Sequence, residues 1–124
     1  MAGVDDLIYE VVGAAMRVHA TPGYGLREKT YGRALVVELQ HMGIRCSQQS
    51  HYPVLYRGVQ VDEYLPDLEV EDMLIVDTKT IEAIGDYELG QMLGYLRITG
   101  KSTGLIINFK HPSLQWRKVT LTPS

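Results

Sequence analysis

The chain has 124 residues, 45% of them hydrophobic and 22% charged, enough for one substantial core and too few for two, so residues 1–124 are expected to form a single domain. A net charge of −3 argues against a large nonspecific nucleic-acid surface, and the single cysteine, Cys46, excludes an internal disulfide and suits a reducing compartment. No basic segment precedes an apolar core in residues 1–20, and no run approaches the roughly 20 apolar residues of a membrane span, so a cytoplasmic protein without membrane contact is expected.

Asp5 and Asp6 are placed to cap a first helix, along which Leu7, Ile8, Val11, Val12, Ala15 and Met16 recur at helical spacing. Thr21-Pro22-Gly23 ends it, and Gly23-Tyr24-Gly25 turns the chain into a second helix over about Leu26–Met42, stopped by Gly43. Tyr31, Leu35, Leu39 and Met42 form its inward stripe, and Glu28 falls on the same stripe. A carboxylate there is costly unless it is paired or liganded, although an acid in the first turn also complements the helix dipole. Strand-like runs follow at Ile44–Ser50, Tyr52–Tyr56 and Val59–Leu65, with Arg57-Gly58 as a tight turn. Pro53 and Pro66 point to an edge or a bulge.

The stretch Tyr64–Thr80 concentrates the chemistry. It reads as two strands around an acidic turn at Glu71-Asp72-Met73, which sets Asp67 opposite Asp77 or one residue off. Side chains alternate along a strand, so Ile75, Asp77 and Lys79 share one face. Like charges facing each other across strands are destabilising. A divalent cation would neutralise the two aspartates, with Lys79 as a fixed positive charge beside them; a surface ion pair between Asp77 and Lys79 is the competing reading. A third helix is expected over Asp86–Thr99, closing on Gly100, with Leu89, Met92, Leu93 and Leu96 as its core face. Gln91 and Tyr95 are stacked one turn apart at the edge of that face, which is also where ordinary amphipathic border residues sit.

Gly104–Phe109 is almost wholly apolar, as a strand covered on both faces would be, and Leu114–Leu121 reads as a last strand. The order helix, helix, strands, helix, strand, strand predicts an α/β sandwich with a mixed central sheet flanked by helices. Charge is distributed unevenly: residues 1–88 carry every acid and balance to −8, whereas residues 89–124 carry Arg97, Lys101, Lys110, Arg117 and Lys118. Such asymmetry marks either a phosphate-facing edge or a basic end that meets an acidic one. Trp116 beside Arg117 could stack a base or line a core or a subunit interface.

The run Gly25-Leu26-Arg27-Glu28-Lys29-Thr30-Tyr31 resembles the signature of the GxxExxY proteins, a branch of the PD-(D/E)xK nuclease superfamily. The similarity continues through Gln49, Tyr56-Arg57-Gly58, Asp67 to Asp72, Asp77-Thr78-Lys79, Gln91, Tyr95, Thr99-Gly100, Gly104-Leu105 and Ile107-Asn108-Phe109. The order of Gln91 and Tyr95 after the acid-x-lysine resembles the RecB-type arrangement. The resemblance implies a PD-(D/E)xK nuclease-like core that hydrolyses phosphodiester bonds, in DNA ahead of RNA. It implies that Asp67, Asp77 and the Thr78 carbonyl hold Mg²⁺ or Mn²⁺, with Glu28 binding directly or through water. Lys79 would orient or help deprotonate the attacking water, Gln91 would position Lys79 or the scissile phosphate, and Tyr95 would contact phosphate or support Gln91.

This chain departs from the family pattern in having Asp77 in place of Glu, Glu88 in place of His, and Gly90 and Gly94 in place of Ala and Asn. Glu88 would add charge beside an acidic pocket, and the two glycines would allow close packing or mark a looser site. A catalytically inactive module that keeps the fold for nucleic-acid binding or assembly is therefore the alternative to a nuclease. With so little surface beyond its site, a homo-oligomer is expected, or a separate specificity partner, to help it grip a duplex.

Overall fold

The computed structural model describes residues 3–122. Helices α1 (Val4–Ala20) and α2 (Glu28–His41) come first, then strands β1 (Cys46–Ser47), β2 (Tyr52–Tyr56), β3 (Val59–Tyr64), β4 (Leu68–Val70) and β5 (Leu74–Lys79). Helix α3 (Asp86–Thr99) and strands β6 (Thr103–Asn108) and β7 (Gln115–Thr120) complete the chain. The main sheet has the order β1-β4-β5-β6-β7. β5 and β6 are parallel and joined through α3, while the other pairs are antiparallel. The expected mixed sheet is present, with a βαβ crossover at its centre.

Period-two alternation divides β5 and β6 between two cores. Leu74, Val76, Leu105 and Ile107 pack with Val11, Ala15, Leu35 and Leu39 of α1 and α2, whereas Ile75 and Ile106 pack with Met92 and Leu96 of α3. β6 is buried at every position because helices cover both of its faces. Gly104 marks how closely α3 approaches. A Cβ there would lie 2.4 Å from the Met92 sulfur and 2.7 Å from its Cγ, and both residues are buried. Gly104→Ala is expected to cost about 1–3 kcal/mol through overpacking, read as a lower denaturation midpoint at unchanged m value.

Several local expectations are corrected. Gly3, not Asp5 or Asp6, is the N-cap of α1; the two acids lie in the first turn, and Met16 is exposed. α2 begins at Glu28, two residues later than expected, with Arg27 as N-cap. The run Ile44–Ser50 contains only a two-residue strand. β2 and β3 do not join the main sheet: they form a separate hairpin, with a bulge between Val54 and Leu55. It is fastened beside α3 by the Tyr64 ring, stacked on Tyr95 at 4.0 Å, and the Tyr52 hydroxyl donates to the buried Glu69 carboxylate. The turns at Arg57-Gly58 and Glu71-Asp72 form as expected, each with two residues at positive φ, the backbone that tight hairpins of right-handed twist require.

The basic C-terminal third is largely neutralised within the chain. Lys101 faces Glu69, Lys110 pairs with Glu82 and Lys118 with Asp5. Trp116 lines an apolar groove of about 580 Å³ against Ile8, Tyr9 and Met16 of α1. No helix among the described residues is long and apolar enough to cross a membrane.

Candidate active site

The carboxylates meet where β4 gives way to β5. The register Leu68↔Val76, extended by one residue, sets Asp67 opposite Asp77. Asp67 itself precedes β4, so its backbone is outside the ladder and its side chain turns to β5. There Oδ2 accepts the Thr78 backbone N–H at 3.0 Å and the Thr78 hydroxyl at 3.3 Å. In an antiparallel ladder the N–H and C=O of one residue point to the same edge, so the Thr78 carbonyl also faces this side, beyond the end of β4.

Asp77 is buried and lies within hydrogen-bonding reach of Asp67. Its Oδ2 is 3.3 Å from Lys79 Nζ. An ion pair alone would lower its pKa, yet Asp77 is pushed up to about 8, first by burial and then by the hydrogen bond and charge of Asp67. One lysine does not offset both effects. Lys79 is held by a second contact, donating to Gln91 Oε1 at 2.9 Å. Burial would lower the pKa of Lys79, but Asp77, Glu28 and Tyr95 together outweigh it and the net shift is upward, so the ammonium remains charged.

Two helices reach this point from opposite faces of the sheet. α3 brings Gln91 and, one turn on, Tyr95, whose ring stacks on Tyr64 at 4.0 Å. The Tyr64 hydroxyl is buried without a hydrogen-bond partner, and its pKa is raised by burial and then by the charge of Asp77. α2 brings Glu28 at its first residue. Burial and then Asp67 raise the Glu28 pKa, while Lys79 and the Thr80 N–H oppose the rise.

The sequence around Glu28 explains its delivery. Gly25 has φ +96°, a conformation that favours glycine. Tyr31 is fully buried and stacks on Phe109 at 4.5 Å. Its hydroxyl donates to the Gly23 carbonyl at 2.7 Å and accepts the Leu26 N–H at 3.1 Å. The loop that precedes Glu28 is thus tied to the core by the residue three positions after it.

Every singled-out site residue therefore converges: Glu28, Asp67, Asp77, Thr78, Lys79, Gln91 and Tyr95. Glu88 does not join them. Its carboxylate turns back to accept the Gly85 N–H at 2.8 Å, a cap for α3, so the expected extra charge in the pocket is spent on the helix start. Gly90 and Gly94 have no neighbour within 4 Å of an added Cβ, which removes close packing as their purpose.

Beside Asp67 and Thr78 lies a polar hollow of about 280 Å³ whose other walls include Lys29, Gly32, Arg33 and Gln48. These four, and Tyr64, were not singled out from the sequence. The like-charged pair Lys29 and Arg33, four apart on one helix, was the available signal, since such pairs weaken a helix. The roomier apolar groove at Trp116 is lined by Asp5 and Glu10 but by none of the converging residues.

The donor set fits a small hard cation. Among the described residues, no cluster of three or more His, Cys, Asp or Glu side chains encloses a metal. However, Mg²⁺ commonly takes only one or two carboxylates and keeps several waters. Asp77 within hydrogen-bonding reach of Asp67, next to a carbonyl facing the same edge, makes such an open site.

No curated protein and no solved structure matches this chain. A profile of the PD-(D/E)XK nuclease superfamily matches residues 5–119, a span that contains all the converging residues. With nearly its whole length matched, and with the superfamily's acid-x-lysine pattern at the end of a central strand, the chain belongs to the PD-(D/E)XK nuclease superfamily.

Proposed function

We propose that this domain is a divalent-metal-dependent nuclease that hydrolyses phosphodiester bonds, in DNA ahead of RNA. The observation that carries this reading is the paired Asp67 and Asp77, with Lys79 held at 3.3 Å from Asp77 and 2.9 Å from Gln91. Asp67, Asp77 and the Thr78 carbonyl would hold Mg²⁺ or Mn²⁺, and Glu28 would complete the set directly or through water. When bound, such an ion neutralises charge on the phosphate and acidifies a water.

The chain's own residues supply the rest. Lys79, charged and fixed by two contacts, orients the attacking water and stabilises charge that develops on the phosphoryl oxygens. Its raised pKa suits a cation better than a base. Gln91 holds the ammonium in place, Tyr95 supports that arrangement through its stack on Tyr64, and Tyr31 fixes the loop from which Glu28 enters. A second copy of the chain would enlarge the surface available for gripping nucleic acid, so we also propose a homo-oligomer, to be read from sedimentation.

The test is a calorimetric titration of Mn²⁺ into the wild type and an Asp67→Ala/Asp77→Ala variant, followed by incubation with labelled single- and double-stranded DNA. The expected result is saturable binding and metal-dependent cleavage, both lost in the variant. Metal binding and nucleic-acid binding without cleavage would favour an inactive module. Equal indifference of both proteins to the metal would remove the proposed site.

A further inference from the structure

The hollow beside Asp67 contains two cations that the proposed chemistry leaves unused. Lys29 and Arg33 are one turn apart on α2 and line it together with Gln48. Elsewhere among the described residues, Arg17, Arg45, Lys79, Lys101, Lys110 and Lys118 each have a carboxylate within 4 Å, whereas Arg27, Arg57, Arg97 and Arg117 do not; what sets Lys29 and Arg33 apart is that they line one polar hollow together. Among the described residues Lys29 and Arg33 make no ion pair, although Glu28 and Asp67 line the same hollow. A like-charged pair at this spacing weakens its helix, so its placement calls for an anion.

The floor has the same character. Gly32 lies between the two cations, buried in the middle of α2. A Cβ there would be 3.4 Å from Gln48 Nε2 and 3.6 Å from Thr78 Oγ1. A glycine costs helix propensity; here it lets the Gln48 amide and the Thr78 hydroxyl approach the helix backbone at the floor. Glu28 and Lys29, in the first turn of α2, line one side of the hollow, and there the helix dipole favours negative charge.

We infer that this hollow binds a second phosphate of the nucleic-acid strand, next to the one that is attacked, with Lys29 and Arg33 neutralising it and the Gln48 amide positioned to donate to it. Glu28, Asp67 and Thr78 line the hollow and also belong to the proposed metal site, and Asp67 reaches Asp77, so the two phosphates would be neighbours. The inference rests on the nuclease reading. The ligand chemistry is a phosphate group, available either as an internal phosphodiester or at a strand end.

The experiment compares the full-length wild type with Lys29→Gln/Arg33→Gln, with Ca²⁺ in place of Mg²⁺ for binding. Fluorescence anisotropy is read over a salt series on circular DNA and on linear DNA carrying 5′-phosphate or 5′-hydroxyl ends. Neutralising one phosphate accounts for a slope of about −0.9 in log K against log[salt] for duplex DNA. The variant is therefore expected to lose about that much slope and, near 0.1 M salt, about tenfold in affinity. Cleavage with Mg²⁺ should show a raised KM and a nearly unchanged kcat, because the contact is made equally before and during reaction. The charge-keeping Lys29→Arg/Arg33→Lys variant should restore the slope, which a structural role for these residues would not require.

A loss confined to 5′-phosphorylated ends identifies a terminal phosphate, and a loss on circular DNA as well identifies an internal one; either supports the inference. Wild-type affinity and slope in Lys29→Gln/Arg33→Gln, while the wild type binds and cuts, would overturn it and leave the nuclease reading standing. A wild type that neither binds nor cuts any substrate overturns that reading and this inference together.

Discussion

Lys79→Ala is expected to slow phosphodiester cleavage by about 10²–10⁴-fold, the range for removing a group that acts on the reacting atoms, while metal affinity is retained or rises slightly. The two halves of this expectation have different origins. Lys79 sits 3.3 Å from the Asp77 carboxylate and competes with any cation bound there, so its removal does not remove a ligand. What is lost is the fixed positive charge beside the phosphate. Truncation also leaves Gln91 Oε1 without its donor at 2.9 Å, so Gln91→Ala should reproduce part of the loss by freeing the ammonium to move.

Lys79→Arg separates charge from proton transfer. If the side chain works as a cation, arginine should recover a substantial part of the rate and leave the pH–rate profile where it is. A profile that loses its alkaline rise in the arginine variant would instead assign Lys79 as the base, against its raised pKa. Wild-type rates in Lys79→Ala would remove the lysine from the chemistry altogether. Calorimetry on the same samples shows whether the metal site survived.

The parts of the site that were legible in the sequence are those governed by local periodicity. Period two along Leu74–Lys79 sets Asp77 and Lys79 on one face, and the turn at Glu71-Asp72 fixes the register that brings Asp67 to Asp77. Period 3.6 along α3 puts Gln91 and Tyr95 on one edge, and the two meet Lys79 and Tyr64 as β5, α3 and β6 wind together. Where tertiary pairing decides, the same patterns are silent. The runs Tyr52–Tyr56 and Val59–Tyr64 alternate like sheet strands, but alternation does not say which strand is the partner, and they pair only with each other. Glu88 is expected to add charge beside the pocket because it stands where the family resemblance has a histidine, three residues before Gln91. A backbone N–H at the helix start bound it first. Gln49 carried part of the family resemblance, yet it is its neighbour Gln48 that lines the hollow, a difference of one residue in a segment too irregular for periodicity to resolve.

Stability should carry the clearest mark of the paired aspartates. In the metal-free protein Asp77 keeps its proton up to about pH 8, against an ordinary value of 3.8. Between those limits the folded state binds more protons than the unfolded chain, so stability falls as pH rises. The contribution is complete below the ordinary value and lost by pH 8. The raised pKa of Glu28 acts in the same direction at the acidic end of the window. At about 1.4 kcal/mol for each pH unit over which the extra proton is held, the loss is on the order of several kcal/mol, a large share of the roughly 5–15 kcal/mol that holds a domain of this kind together. Thermal melts of the metal-free wild type should therefore fall by on the order of 10 °C between pH 5 and pH 8. Asp77→Asn, which keeps the shape without the titrating charge, should be nearly flat across that range and more stable than the wild type at pH 8. A divalent cation should oppose the trend and offset most of the loss: at a hundred times its Kd it adds about 2.7 kcal/mol, in full at pH 8 and hardly at all at pH 5, where protons hold the carboxylates. A wild type with no pH dependence, or an Asp77→Asn variant with the same slope, would mean that the two acids do not burden each other, and the case for a cation between them would go with it.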